Sequence, residues 1–222
     1  MSKIWYISPS SQGANLGVGN YGSEQEQMNL LADAIIPHLD RAGISFHRAD
    51  PELSLGQRVE ESNEMGVCFH LALHSNAGGK GLARGPVAYY YSDAGKAFGE
   101  KVVENLLALG QENNRYTNVK QDKTLYELKK TAAPACLLEV DFHDSLGGVE
   151  FLMSHRAEIA EAIAKAIIET EGKQFIPVTP GEYVDRAVSL GLFPRNTQWD
   201  QPLTKEDAAA LAVKLMDLLK RG

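Results

Sequence analysis

No apolar run in this 222-residue chain approaches the roughly 20 residues needed to span a bilayer, so no transmembrane segment is expected. The amino terminus also lacks a basic stretch followed by a long apolar segment. The chain is therefore expected to be made in the cytoplasm and not to leave it by the general secretory route on a signal of its own. Basic excess is missing too: 22 Lys and Arg stand against 29 Asp and Glu, a formal net charge of -7. Whole-molecule attraction to nucleic acid or anionic lipid is excluded as a driving force, and no nucleic-acid partner is expected. Only two cysteines occur. Cys68 and Cys136 sit in the apolar runs GVCFHLAL and PACLLEV and read as buried thiols, with an inter-strand bridge as the alternative. There is no internal repeat and no low-complexity tract.

What is present suffices for one full domain with a small appendage: 44% of residues are apolar and 23% charged, ordinary for a globular protein. KIWYIS reads as a first strand. EQEQMNLLADAIIPHLDRAG reads as a helix, because Met28, Leu31, Ile35 and Leu39 recur at steps of three and four. SFHRAD, VCFHLALHSNA, GPVAYYYS and APACLLEVDF read as further strands. LGQRVEESNEMG, AGKAFGEKVVENLLALG and VEFLMSHRAEIAEAIAKAIIETEG read as helices, the last as one long element, while TLYELKKT is ambiguous. This alternation predicts an α/β fold, a mainly parallel sheet sandwiched by helices. The main domain is expected over 1–172, a Pro- and Gly-punctuated linker over 173–181, and a small two-helix module over 182–222.

Gly17, Gly19 and Gly22 spell G-x-G-x-x-G ahead of the first helix, the pattern of a dinucleotide loop. The spacing argues otherwise. Eight residues separate Ser8 from Gly17, whereas the first glycine of that motif follows its strand almost at once. Ser23 as N-cap and Glu26 as its capping-box partner leave Glu24 in the first turn, where a carboxylate would repel phosphate. No nucleotide cofactor is expected.

Glu24 then needs another reading: either a favourable charge against the helix dipole or part of a site. His74 ends a strand in LALHSNAGG, and Glu139 ends another in PACLLEVDFHDS. In a parallel sheet the carboxyl ends of strands are where ligands collect. His70, four residues earlier in its strand, reads as a satisfied core histidine. A carboxylate closing a buried strand is costly unless paired, hydrogen-bonded or metal-linked. Glu24 and His74 are suitable zinc ligands, and Glu139 would act as the base on a bound water.

The segments ISPSSQ…GSE, LALHSNA and ELKKT…PACLLEVDFHDS resemble the zinc-dependent N-acetylmuramoyl-L-alanine amidases of the Amidase_3 type, found in bacterial autolysins and phage endolysins. The likeness runs from about Lys3 to Glu171. It implies a mixed, mainly parallel sheet between helices, zinc as cofactor and peptidoglycan as partner at the cell wall. It also implies that Glu24 and His74 are metal ligands, that Glu139 is the catalytic glutamate, and that the amide between N-acetylmuramic acid and L-alanine is cleaved. The chain departs from the family at one point. Where the first strand usually ends in a Gly-His pair that supplies a ligand, this sequence has SPSSQG. Gln12, with its amide oxygen, is the nearest substitute, and His143 is the alternative, itself also readable as a polar loop residue. For substrate binding, Asn76, Arg84 and His143 are the candidates, with a solvated arginine in a flexible connector as the other reading of Arg84. Glu127 reads as a surface residue rather than a second base. Two competing functions remain open, another zinc peptidase of the wall and a non-catalytic peptidoglycan binder that has lost a ligand. The module at 182–222 faintly resembles one S-layer-homology-like unit, in which Trp199 would touch wall polymer or, alternatively, pin two helices together.

Overall fold

The computed structural model describes residues 3–78, 80–114 and 117–177. The linker read at 173–181 is described only as far as residue 177, and the module read at 182–222 lies outside the described residues. The elements run β1 (Ile4–Pro9), α1 (Glu24–Arg41), β2 (Ser45–Arg48), α2 (Leu55–Met65), β3 (Phe69–Asn76), β4 (Val87–Tyr90), α3 (Asp93–Leu107), β5 (Val119–Gln121), α4 (Tyr126–Lys130), β6 (Ala135–Phe142), α5 (Leu146–Ser154) and α6 (Arg156–Thr170). One six-stranded sheet has the order β2-β1-β3-β6-β4-β5. Its β2, β1, β3 and β6 are parallel, and β4 runs antiparallel to β6. The mainly parallel, doubly covered sheet is the one the alternation predicts.

Period-2 alternation decides what each face carries. Trp5 and Ile7 of β1, Phe69, Leu71 and Leu73 of β3, and Cys136, Leu138 and Val140 of β6 join the main core with residues of α1, α3 and α6. Trp5 stacks on Phe69 with ring centroids 4.5 Å apart, and Phe98 tilts against both. The opposite face is covered more thinly. There Ala72, Ala135 and Leu137 pack with Leu128 of α4. The strand residues in alternation with the main core, Ser8, His70 and His74 together with Glu139 and Asp141, are the polar ones. This thinner layer carries the candidate site. Cys68 and Cys136 are both free thiols.

Two local features depart from the sequence expectation. The long carboxyl-terminal helix is two helices, broken at His155, whose φ of -115° and ψ of 23° leave the helical region. Ser154 Oγ bonds back to the Glu150 carbonyl at 2.6 Å, a competitor for the helical ladder, and the His155 ring stacks on Phe151. The ambiguous TLYELKKT holds a five-residue helix, α4. Gly148, in the first turn of α5, allows that helix to sit directly against the backbone of Phe142. A Cβ there would collide with the Phe142 carbonyl oxygen and lie 3.0 Å from its carbon. Gly148→Ala is therefore expected to cost about 1–3 kcal/mol of stability through overpacking, read from urea unfolding.

Candidate active site

His74 and Glu139 are direct register partners on the neighbouring parallel strands β3 and β6. Just beyond them the register shifts, with Asn76 opposite Phe142, so β6 carries one extra residue at its end. Glu24 comes to the same edge from the first position of α1, whose N-cap Ser23 accepts from Glu26 N at 3.2 Å. Its Oε1 lies 2.7 Å from His74 Nδ1. Gln12, three residues past the end of β1, brings Nε2 to 3.4 Å from the same Nδ1. Three of the four residues expected to act on a metal thus meet at one ring nitrogen, and the fourth stands beside them in the sheet.

The other edge of the His74 ring faces a residue read from the sequence as surface. Glu127 of α4 is instead 3% exposed, with Oε2 3.7 Å from His74 Nε2. Its Oε1 accepts from Ser8 Oγ at 2.5 Å and from His70 Nε2 at 2.9 Å. His70 is fully buried, and its Nδ1 meets Ser62 Oγ of α2 at 2.9 Å, so it is a satisfied core histidine. The two histidines sit on one strand face four residues apart, and that spacing is the signal that called for a shared buried acceptor.

His143 reaches the site only indirectly. Tyr21 Oη donates to Ser75 Oγ at 2.7 Å, Ser75 meets His143 Nδ1 at 2.8 Å, and His143 Nε2 meets Asn15 Oδ1 at 3.1 Å. Asn15 Nδ2 in turn donates to Glu24 Oε2 at 2.5 Å. Every bond in this chain is satisfied by one direction of donation, with His143 neutral and its proton on Nε2. Burial, which lowers the His143 pKa, favours that state. His143 therefore stands behind Glu24 rather than in the ligand set. Asn76 contributes its backbone carbonyl, which accepts from His143 N at 2.8 Å.

Arg84 is turned inward, neither a solvated connector residue nor a free guanidinium for substrate. Its Nη2 lies 3.2 Å from the fully buried Asp141, and its Nη1 lies 2.9 Å from Glu112. Arg58 is also structural: 1% exposed, it donates to the carbonyls of Pro9, Leu53, Asp50 and Pro51. This ties the end of β1 to the start of α2. The glycine loop closes on itself, with Gly17 N donating to Gly22 O at 3.0 Å and Val18 N to His143 O at 2.9 Å. It builds the wall behind Glu24.

Burial and neighbours set the charges. Burial alone would lower the His74 pKa, but Glu127 and Glu24 on its two edges outweigh it and raise the ring to about 10. Burial would raise Glu127, yet the hydrogen bond from His70 and the nearby His74 ring hold it well below the usual carboxylate range. Glu24 is likewise lowered, its burial outweighed chiefly by the bond to His74. Glu139 goes the other way: burial pushes it up to about 7, only partly offset by His74. Its Oε2 is buried without a hydrogen-bond partner. A carboxyl that gains and loses its proton near neutrality is suited to shuttle one.

Among the described residues, no three His, Cys, Asp or Glu side chains gather closely enough to hold an ion by themselves. The donor set nevertheless fits a divalent ion of the zinc kind once the neutral amide of Gln12 is counted. Carboxylate and imidazole already face each other at 2.7 Å, the amide is alongside, and the orphaned Glu139 oxygen is on the next strand. A half-turn of the Gln12 amide directs its oxygen to the same point.

A doubly covered, mainly parallel sheet with a histidine and carboxylates gathered at its carboxyl edge defines an α/β domain with a candidate site where such folds collect ligands. The chain belongs to the Amidase_3 family, described as N-acetylmuramoyl-L-alanine amidase, whose pattern residues 7–169 match. It is 28% identical over 163 residues to the N-acetylmuramoyl-L-alanine amidase CwlM of Bacillus licheniformis, covering 69% of this chain and 62% of that protein. A protein of Clostridium perfringens is 32% identical over 152 residues, covering 62% of this chain and 43% of its own length. The chain thus spans less than two thirds of these two relatives. Two solved structures share the fold. The amidase AmiC2 of Nostoc punctiforme has a TM-score of 0.68 at 21% identity, covering 77% of this chain and 98% of its own. The catalytic domain of CwlV from Bacillus (Paenibacillus) polymyxa var. colistinus has a TM-score of 0.68 at 19% identity, covering 78% of this chain and 99% of its own.

Proposed function

We propose that the chain is a zinc-dependent peptidoglycan amidase that hydrolyses the bond between N-acetylmuramic acid and the L-alanine of the stem peptide, acting at the cell wall. The observation that carries this reading is the pairing of His74 with Glu139 across β3 and β6, with Glu24 bonded to His74 at 2.7 Å. Family membership supports the substrate class.

Gln12, Glu24 and His74 would hold the ion. Zinc bound there supplies Lewis-acid polarisation of a carbonyl and acidification of water. The unpartnered Oε2 of Glu139 takes the proton of the attacking water and returns it to the leaving amine of L-alanine. The Tyr21-Ser75-His143-Asn15 chain keeps Glu24 from turning away.

Gln12 is the weak member of the set, since a neutral amide oxygen donates less well to zinc than imidazole. Gln12→His is expected to tighten zinc binding by at least about tenfold, or about 1.4 kcal/mol, in competition with a chromophoric chelator. Unchanged affinity would remove Gln12 from the ligand set.

The activity is tested by digesting purified cell wall with the zinc-loaded protein and identifying the new amino termini. Free N-terminal L-alanine is expected. Release of D-alanine would make the protein a carboxypeptidase instead. Wall binding without any new amino terminus would make it a binder that has lost catalysis.

A further inference from the structure

His74 lies between two carboxylates, one at each nitrogen of its ring. Glu24 is 2.7 Å from Nδ1 and Glu127 is 3.7 Å from Nε2. The proposed mechanism uses only the Nδ1 edge, and Glu127 is left without a role in it. Burying a carboxylate to 3% exposure is costly, and its Oε1 is already satisfied by Ser8 of β1 and His70 of β3. Its Oε2 faces the ring that the site depends on.

The pieces behind Glu127 settle into one hydrogen-bonding sense. Ser62 donates to His70 Nδ1, which leaves the His70 proton on Nε2, where it is given to Glu127. Glu127 accepts there and from Ser8, and so presents a further acceptor to the Nε2 edge of His74. Without metal, Nδ1 gives its proton to Glu24 at 2.7 Å; with the other proton kept on Nε2, Nδ1 is the nitrogen whose lone pair is freed for a cation that displaces that proton. Without an acceptor on the Nε2 side, less would oppose a half-turn of the imidazole, which would put Cδ2 where Nδ1 stands and take the nitrogen away from Glu24.

We propose that Glu127 is a positioning residue for the reaction: anchored by Ser8 and His70, it holds the Nε2 edge of His74 so that Nδ1 is the nitrogen offered to a cation. This rests on the reading of His74 as a metal ligand, and it assigns to a residue of the short helix α4 the orientation of a side chain on β3.

The test uses the full chain and Glu127→Gln, which keeps the side chain's size and removes its charge. Zinc affinity by chelator competition is expected to fall about 10–100-fold, as for other partners of metal-bound histidines. The 15N shifts of the His74 ring are expected to change in both metal-free and zinc-loaded protein. A Glu127→Gln protein whose zinc affinity stays within twofold of the parent and whose His74 shifts are unaltered would overturn the proposal, even if its melting temperature is lower. That outcome would make Glu127 merely structural. Should the variant fail to fold, the parent decides the matter: a solvent-protected proton on His74 Nε2 is expected in the zinc-loaded chain, and its absence would overturn the proposal. Failure of the amidase reading is distinguishable, because a parent chain that binds no zinc and cuts no wall defeats that reading, while the His74 shifts of the metal-free variant still judge Glu127.

Discussion

Glu139→Gln is expected to abolish wall cleavage almost completely, lowering the rate about 10²–10⁴-fold, the usual contribution of a positioned general acid-base group. Wall binding and zinc content should be retained, since the residue is assigned to proton transfer rather than to holding the ion. The fold should tolerate the change, and at neutral pH gain from it. Burial raises the Glu139 pKa from its ordinary 4.5 to about 7, so folding opposes its ionisation. Between those two values the unfolded chain has lost the proton and the folded chain has kept it. Parent stability therefore declines as pH rises through this window and levels off above it. Metal-free Glu139→Gln lacks that contribution, so its stability advantage over the parent should open from about pH 4.5 to 7. Thermal melts across this range, beside amine release from purified wall, check both halves. Undiminished wall cleavage by the variant would remove Glu139 from the mechanism.

Arg84→Ala should have the largest effect on stability among single changes near the site, through Asp141. That carboxylate is fully buried and accepts from Gly85 N and Gln111 Nε2 at 2.9 Å and from Phe142 N at 2.8 Å, besides its contacts with Arg84. Removing the guanidinium leaves a buried negative charge without a cation. The expected loss is about 3 kcal/mol, the lower end for breaking a buried pair, because three hydrogen bonds to Asp141 survive. Urea unfolding measures it. Arg84→Met combined with Asp141→Asn should recover most of the loss, since no buried charge is then stranded. A change of less than about 1 kcal/mol in Arg84→Ala would show that the pair is solvated in practice.

The pieces of this architecture that were legible in the sequence are those with a long enough pattern. VCFHLALHSNA and APACLLEVDF are apolar runs ending in polar residues, which located β3, β6 and the edge where His74 and Glu139 stand. The first helix showed its periodicity and its Ser23 cap, so Glu24 was placed correctly in the first turn. The break at His155 was hidden because apolar residues continue on both sides of it, and the Ser154 side-chain bond that accompanies it leaves no periodic signal. Helix α4 and strand β5, of five and three residues, are too short to display any period. That brevity is why Glu127 passed for a surface residue. Arg84 was misread for a different reason: its partner Asp141 lies 57 residues away, and only the sheet brings them together. His143, expected as a ligand or at the substrate, instead bonds to Ser75 and Asn15, and such tertiary hydrogen bonding is revealed by no spacing.

The central claim is that Glu24 and His74, with Gln12, hold one divalent ion beside Glu139. Anomalous diffraction at the zinc edge from zinc-loaded crystals tests it most directly. A single peak bounded by Glu24 and His74 Nδ1, with the Glu139 carboxyl facing it, is the predicted result. A peak elsewhere, or none at this edge of the sheet in protein that still cleaves wall, would contradict it.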